Sequence, residues 1–356
     1  MICMRIENIR KKMEKKGIDA LLLVSDSNRN YMSGFTGNES FSVITLDRAI
    51  FITDSRYTQQ AREEVKEYEI SEYKGSFSDY LSKLAKELNI NKLGFEDDII
   101  SYSQYLEYEE KLSCELVPIK GMVQELRIIK DNDEIKNIKK AASIADKAFK
   151  HMLTFIKASM SEKEVELELE FTMKKLGASG LSFTSIVASG VRSSLPHGTA
   201  TDKIIQNGEF LTMDFGCVYN EYCSDMTRTL VIGEPNDKMK DMYEVVLAAQ
   251  KKALKTIKPG LTGKEVDKVA RDYIQSKGYG EYFGHGLGHG VGRVVHEMPR
   301  ISPTGNEILK PGMVITDEPG VYIPNFGGLR IEDLILVTEE GCEILSKSPK
   351  ELICIK

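Results

Sequence analysis

Residues 156–177 read IKASMSEKEVELELEFTMKKLG, and residues 257–278 read IKPGLTGKEVDKVARDYIQSKG. The two stretches align at a constant offset of 101. In each, one helix ends, a short link follows, and a Ser/Thr-x-x-Glu capping box (Ser161/Glu164 and Thr262/Glu265) opens a second helix. Each second helix is expected to stop at a glycine, Gly177 or Gly278. Strand-like segments rich in Gly and Pro follow both helix pairs. The doubling predicts two α-then-β halves related by pseudo-twofold symmetry, with a site between them.

Upstream of this repeat the pattern is different. IDALLLV (18–24) reads as a buried strand, and SFSVITLDRAIFITD (40–54) as a hairpin around Asp47-Arg48. Helix and strand signals then alternate as far as CELVPIK, which fits a small α/β domain. No catalytic constellation is visible in it; Asp54-Ser55-Arg56-Tyr57 reads as a turn with a helix cap. The expected division is residues 1–122, a linker helix over 123–134, and a second domain over 135–356. A chain of 356 residues suits about two such domains.

Composition narrows the function classes. The net charge is −6 with 29% charged residues, and no basic block suggests nucleic acid. No apolar stretch reaches the ~18 residues of a membrane span. MICMRIENIRKKMEKKG reads as an amphipathic helix, not a signal peptide. The six cysteines show no paired spacing, which predicts a reducing compartment and a soluble cytoplasmic protein.

The chemistry collects in the doubled part. FLTMDFGCVYNEYCSDMTRTLVI (210–232) reads as a hairpin. A two-residue turn at Tyr219-Asn220 would pair Val218 with Glu221 and Asp214 with Asp225. In VITDEPGVYIPNFGGLRIEDLILVT (314–338), a hairpin centred on Asn325 puts Glu318 opposite Glu332. Opposed residues share one face with Cβ atoms roughly 4.5–5.5 Å apart. Two carboxylates so placed repel unless a proton or a cation lies between them. YFGHGLGHGVGRVVHEMP (282–299) adds three of the five histidines, His285, His289 and His296, among glycines that allow close backbone approach. One histidine with four carboxylates suits Mn²⁺, Fe²⁺, Co²⁺ or Zn²⁺. Four negative charges balance two divalent cations.

These motifs, in order, resemble those of the pita-bread metallopeptidases (family M24), most closely the aminopeptidase P and prolidase branch. RNYMSGFTGNES and FITDSRYTQQA resemble the creatinase-like N-terminal domain of that branch. The resemblance implies an α/β creatinase-like domain followed by an α+β pita-bread catalytic domain. It implies that Asp214 binds one metal, that Asp225 and Glu332 bridge both, and that His289 and Glu318 complete the second. A hydroxide between the metals would be the nucleophile, with Glu318 as proton shuttle. His197, His285 and His296 match histidines around the substrate, and Arg330 a supporting or substrate contact. His151 has no match and reads as a plain helix residue.

By resemblance, the ions are expected to be two Mn²⁺, with Co²⁺, Fe²⁺ or Zn²⁺ as alternatives. The leading expectation is an Xaa-Pro aminopeptidase acting on peptides with proline second. The alternative is an Xaa-Pro dipeptidase (prolidase), and a non-catalytic binding module is the reading from another class. A homodimer or larger assembly is also implied, with no nucleic-acid or membrane partner. Glu221 stands where relatives commonly carry Gly in the turn, and Asp317 precedes the ligand Glu318.

Overall fold

A computed structural model describes residues 2–356. The chain forms two compact units that divide between Arg127 and Ile128. In place of one linker helix over 123–134, a single turn at Gln124–Arg127 ends the first unit. The next helix starts at Asn132. The break has a local cause: Asp131 caps that helix with a reciprocal Asp131/Glu134 capping box, and a cap residue is itself non-helical.

The first unit is built on a six-stranded mixed sheet. Its strand order is Glu69–Glu72, Ala49–Thr53, Ser40–Thr45, Ala20–Leu23, Lys92–Phe95, Glu115–Pro118. The all-apolar strand ALLL is central because both of its faces are covered. Leu21 and Leu23 enter one hydrophobic cluster, and Ala20 and Leu22 the other.

The second unit contains the repeat. Helices α1 (Asn132–Phe155) and α2 (Glu162–Lys175) form the first pair. Strands β1 (Ile186–Ser189), β2 (Glu209–Phe215) and β3 (Met226–Ile232) follow, with Cys354–Ile355 added parallel to β3. Helices α3 (Asp237–Thr256) and α4 (Gly263–Ser276) form the second pair. They precede β4 (Gly288–Gly290), β5 (Glu297–Ile301), β6 (Val314–Asp317), β7 (Asp333–Val337) and β8 (Cys342–Ile344), which make a sheet of order β5-β4-β6-β7-β8.

The offset of 101 holds in three dimensions. Both capping boxes form, and Gly177 and Gly278 take left-handed φ values of 104° and 83°. On α2, Val165, Leu169 and Met173 are buried at helical spacing against α1 and the first sheet. On α4, the residues 101 later, Val266, Ala270 and Ile274, do the same against α3 and the second sheet. Each helix-capping residue also bridges to a strand-like segment, Ser161 to Ile204 and Thr262 to Ile308. The result is a creatinase-like unit followed by a pita-bread unit with pseudo-twofold symmetry.

One register differs from the sequence-based expectation. The first hairpin turns at Asn220-Glu221, both with positive φ (46° and 67°), so Tyr219 pairs with Tyr222 and Val218 with Cys223. A two-residue turn with both central residues left-handed matches the strand twist, and Asn at its first position tolerates that conformation. Asp214 therefore lies opposite Thr227, and Asp225 is two residues off the expected pairing. A shift of two preserves side-chain parity, so both acids still face the same side. In the second hairpin Ile323 pairs with Gly327 and Gly320 with Arg330. The same register continues through Asp317 and Asp333, which sets Glu318 across from Glu332.

Candidate metal centre

Four carboxylates and one imidazole meet where the two halves face each other. Asp225, His289 and Glu332 each offer a ligand atom, and these atoms lie within 4.8 Å of one another. His289 Nε2 is 3.6 Å from Asp225 Oδ2 and 3.3 Å from Glu318 Oε1. Arg330 Nη2 donates to Asp214 Oδ2 at 2.6 Å. The strands bring these groups so close because glycines line the crossing. A Cβ on Gly288 would fall 2.2 Å from the Thr316 carbonyl oxygen, and one on Gly290 would fall 2.1 Å from that of Met298. The histidine-bearing strand thus lies against its neighbours as no other residue would permit.

Two of the acids, Asp214 and Glu332, have one oxygen occupied and one left over. Arg330 takes Asp214 Oδ2 and leaves Oδ1 buried without a partner. Thr227 Oγ1 donates to Glu332 Oε2 at 2.7 Å and leaves Oε1 equally bare. Thr316 Oγ1 donates to Glu318 Oε1 at 3.1 Å. His289 Nδ1 lies 3.1 Å from the carbonyl of Gly290. That contact requires the proton on Nδ1, so in the neutral ring Nε2 is a lone pair facing the acids. Buried bare oxygens are costly unless a cation meets them. This donor set therefore fits divalent metal ions.

The electrostatics agree. Burial, reinforced by Glu332, Asp214 and Glu318, pushes the Asp225 carboxyl well above the usual range. Burial and the charges of Glu318 and Asp214 do the same to Glu332. Burial also acts upward on Glu318, but without metal a protonated His289 would donate from Nε2 and, with its charge, outweigh burial and lower that acid. Positive charge between these acids is what would let all of them ionise together.

The remaining predicted residues line the same cavity of about 810 Å³. His197 is exposed on the loop after β1. The ring of His296 is 4.2 Å from that of His289. Neither His197 nor His296 makes a side-chain hydrogen bond to the described residues. His285 differs: Nδ1 is 2.8 Å from the Gly286 carbonyl, and Nε2 is 3.0 Å from Tyr322 Oη. Both of its nitrogens are engaged, and burial lowers its pKa, so it is a neutral ring tied to Tyr322. Arg330 Nη1 donates to the same Tyr322 hydroxyl at 2.5 Å, and Arg330 Nε to Thr227 Oγ1 at 3.0 Å. His151 lies apart, half-exposed on α1 with Nε2 2.6 Å from Glu168 Oε1.

Three contributors were not singled out in the sequence. Thr227, Thr316 and Tyr322 sit in apolar strands, where such residues read as ordinary core. Only the crossing of separate strands shows that their hydroxyls orient the acids and His285.

Two clamps hold the histidine loops. Glu162, at the start of α2, accepts from Ser189 N at 2.7 Å and Thr201 Oγ1 at 2.8 Å, and pairs with Arg192. It thereby ties down the segment that carries His197. On α4, Asp267 binds Arg271 through both oxygens at 2.8 Å and accepts from Leu287 N at 3.0 Å. Arg271 donates in turn to the carbonyls of Phe283 and His285 at 3.0 and 2.7 Å.

Behind the site, Asp333 is held by Arg228 and Gln250, both at 2.8 Å, and by Lys350 at 2.6 Å. Asp317 faces it in register with both oxygens buried and unpartnered. Burial and the neighbouring Asp333 charge raise its carboxyl well above the usual range.

Comparison with known proteins agrees with this architecture. Residues 136–339 match metallopeptidase family M24, and residues 5–129 match the creatinase/prolidase N-terminal domain. The chain belongs to metallopeptidase family M24 and is a metallo-exopeptidase. A solved structure described as an Xaa-Pro dipeptidase from Bacillus anthracis is 50% identical, with a TM-score of 0.98 over 99% of this chain and 100% of that one. The Xaa-Pro dipeptidase of Pyrococcus furiosus is 42% identical over 98% of this chain and 99% of its own length. A structure described as an X-Pro aminopeptidase from Thermotoga maritima is also 42% identical, with a TM-score of 0.90 over 97% of this chain and 100% of that one. Among the described residues, no helix is long and apolar enough to cross a membrane.

Proposed function

We propose that this protein is an Xaa-Pro dipeptidase (prolidase) with a dinuclear metal centre. The observation that carries the reading is full-length similarity, at 42–50% identity, to proteins described as Xaa-Pro dipeptidases, combined with the five-residue donor set. It displaces the aminopeptidase reading, favoured from the sequence, to second place. The aminopeptidase alternative keeps the Thermotoga maritima structure in its favour.

Asp214, Asp225, His289, Glu318 and Glu332 would hold the metals, with Asp225 and Glu332 shared. Two ions are part of the proposal, by resemblance, with four carboxylates and one imidazole as donors; Mn²⁺ is the proposed ion. When bound, they supply Lewis-acid polarisation of the scissile carbonyl and acidify water.

The chain's own residues do the rest. Arg330 and Thr227 fix the orientation of Asp214 and Glu332. His296, beside His289 with no partner of its own, is placed to donate to the reacting carbonyl. Glu318, whose Oε1 accepts from Thr316, moves a proton between water and the departing amine. Tyr322, itself held by Arg330, keeps His285 neutral as a wall of the substrate site, and His197 lines the same cavity. The proposal includes a cytoplasmic location, which the six free cysteines support. It also includes a homodimer or larger assembly, by resemblance of the first unit.

The test uses Mn²⁺-loaded protein, an Xaa-Pro dipeptide, an Xaa-Pro-Xaa tripeptide and an Asp225→Ala control. Cleavage of the dipeptide alone is expected. Preference for the tripeptide would move the assignment to an aminopeptidase, and cleavage of neither would overturn both.

A further inference from the structure

One charged group in the catalytic cavity has no counterpart. Glu281 lines it from a short 3-10 turn, Gly280–Tyr282. The other lining carboxylates, Asp214, Asp225, Glu318 and Glu332, belong to the metal site and face Arg330 and His289. The Glu281 side chain, in contrast, makes no hydrogen bond or ion pair to the described residues.

Its backbone is nevertheless fixed. Tyr279 Oη donates to Asp241 Oδ2 at 2.6 Å on one side of the turn. Arg271 donates to the Phe283 carbonyl at 3.0 Å on the other. Within the turn, Tyr282 N donates to the Tyr279 carbonyl at 3.0 Å. An exposed carboxylate is ordinarily just solvated surface. A carboxylate on a braced turn at a cavity wall, with its charge uncompensated, is instead a standing acceptor for a cationic ligand group.

Among the carboxylates that line the cavity, Glu281 is the one outside the metal site, and Arg330 is already engaged by Asp214 and Glu318. The lining also includes the apolar or aromatic residues Phe183, Ile186, Pro196 and Tyr282. We propose that Glu281 is a specificity-determining residue that receives a basic side chain at the first position of the substrate, favouring Lys-Pro and Arg-Pro over Asp-Pro and Glu-Pro. This rests on the Xaa-Pro dipeptidase reading.

The experiment measures kcat/KM for Lys-Pro, Leu-Pro and Glu-Pro with Mn²⁺-loaded wild type and Glu281→Gln, at low and at high salt. Thermal melts confirm that both are folded. Wild type is expected to prefer Lys-Pro to Glu-Pro. In the variant the Lys-Pro to Leu-Pro ratio should fall about threefold to fivefold, the size of an exposed ion pair. The Glu-Pro to Leu-Pro ratio should rise, and high salt should shrink both effects. Ratios equal in the two proteins overturn the inference and leave the dipeptidase reading standing. So does a uniform loss on all three substrates, which would mean that Glu281 meets the common α-ammonium or supports the turn. Cleavage of none of the three by wild type overturns the reading and the inference with it.

Discussion

Arg330 Nη2 stands 2.6 Å from Asp214 Oδ2, and the same guanidinium reaches Thr227 and Tyr322. One buried side chain thus orients an acid of the centre directly, a second through Thr227, and a histidine through Tyr322. Lysine carries the charge but not the planar fork that makes these contacts together. Arg330→Lys is therefore expected to weaken Mn²⁺ binding by about 10–100-fold. Calorimetric titration of folded variant against wild type checks this; equal affinities would sink the relay.

Thr227→Val is nearly isosteric and removes only the hydroxyl that donates to Glu332 Oε2. It also leaves Arg330 Nε without its acceptor. A loss of roughly 1–3 kcal/mol in stability is expected from that orphaned donor, together with weaker metal binding. Denaturant melts with and without Mn²⁺ separate the two effects.

Chelation is expected to lower the melting temperature, and Mn²⁺ to restore it. A metal that binds only the folded chain adds about 2.7 kcal/mol at a hundredfold excess over its Kd. Asp225→Ala should abolish this shift, and a melting temperature indifferent to Mn²⁺ in wild type would count against the centre.

Glu162 is fully buried, and its loss removes the acceptor of the Ser189 and Thr201 donors and one partner of Arg192, which keeps the Thr199 carbonyl. Glu162→Ala should cost about 1–3 kcal/mol, the size of a buried donor left unmade. Arg271→Ala, on the half-buried partner clamp, should destabilise less but release the His285 loop. Hydrogen exchange at residues 283–287 is the direct readout, and unchanged protection there would remove Arg271 from the clamp.

The two capping-box acids give a pH dependence of definite sign. Hydrogen bonds from the backbone and side chain of Ser161 and Thr262 lower the pKa of Glu164 and Glu265 below the ordinary 4.5. A depressed acid stabilises the fold above its unfolded value, and that contribution is lost as pH falls through the lower, folded one. The double variant Glu164→Gln/Glu265→Gln keeps the reciprocal bond without the charge. Its melting temperature should fall less steeply than that of wild type below pH 4.5. Parallel curves would contradict the assignment.

Local signals carried much of this protein. The capping boxes, the closing glycines and the offset of 101 depend on residues a few positions apart, so the doubled α-then-β order was legible without coordinates. Hairpin parity was legible for the same reason: a strand repeats every two residues, and parity survives a misplaced turn. That is why Asp214 and Asp225 were put on one face although the turn lies one residue later, at Asn220-Glu221. What only the tertiary structure decided involves partners far apart in the chain. The 123–134 segment breaks because its last residues, from Asp131, already belong to a capped helix of the next unit. The bare Nε2 of His289 follows from a carbonyl next door, but its neighbours Asp225 and Glu318 come from two other strands. Tyr322, Thr227 and the loop contacts of the two clamps span from eight to more than a hundred residues. No periodicity records such contacts, because it reports which face of an element is buried and not which side chain waits across the gap.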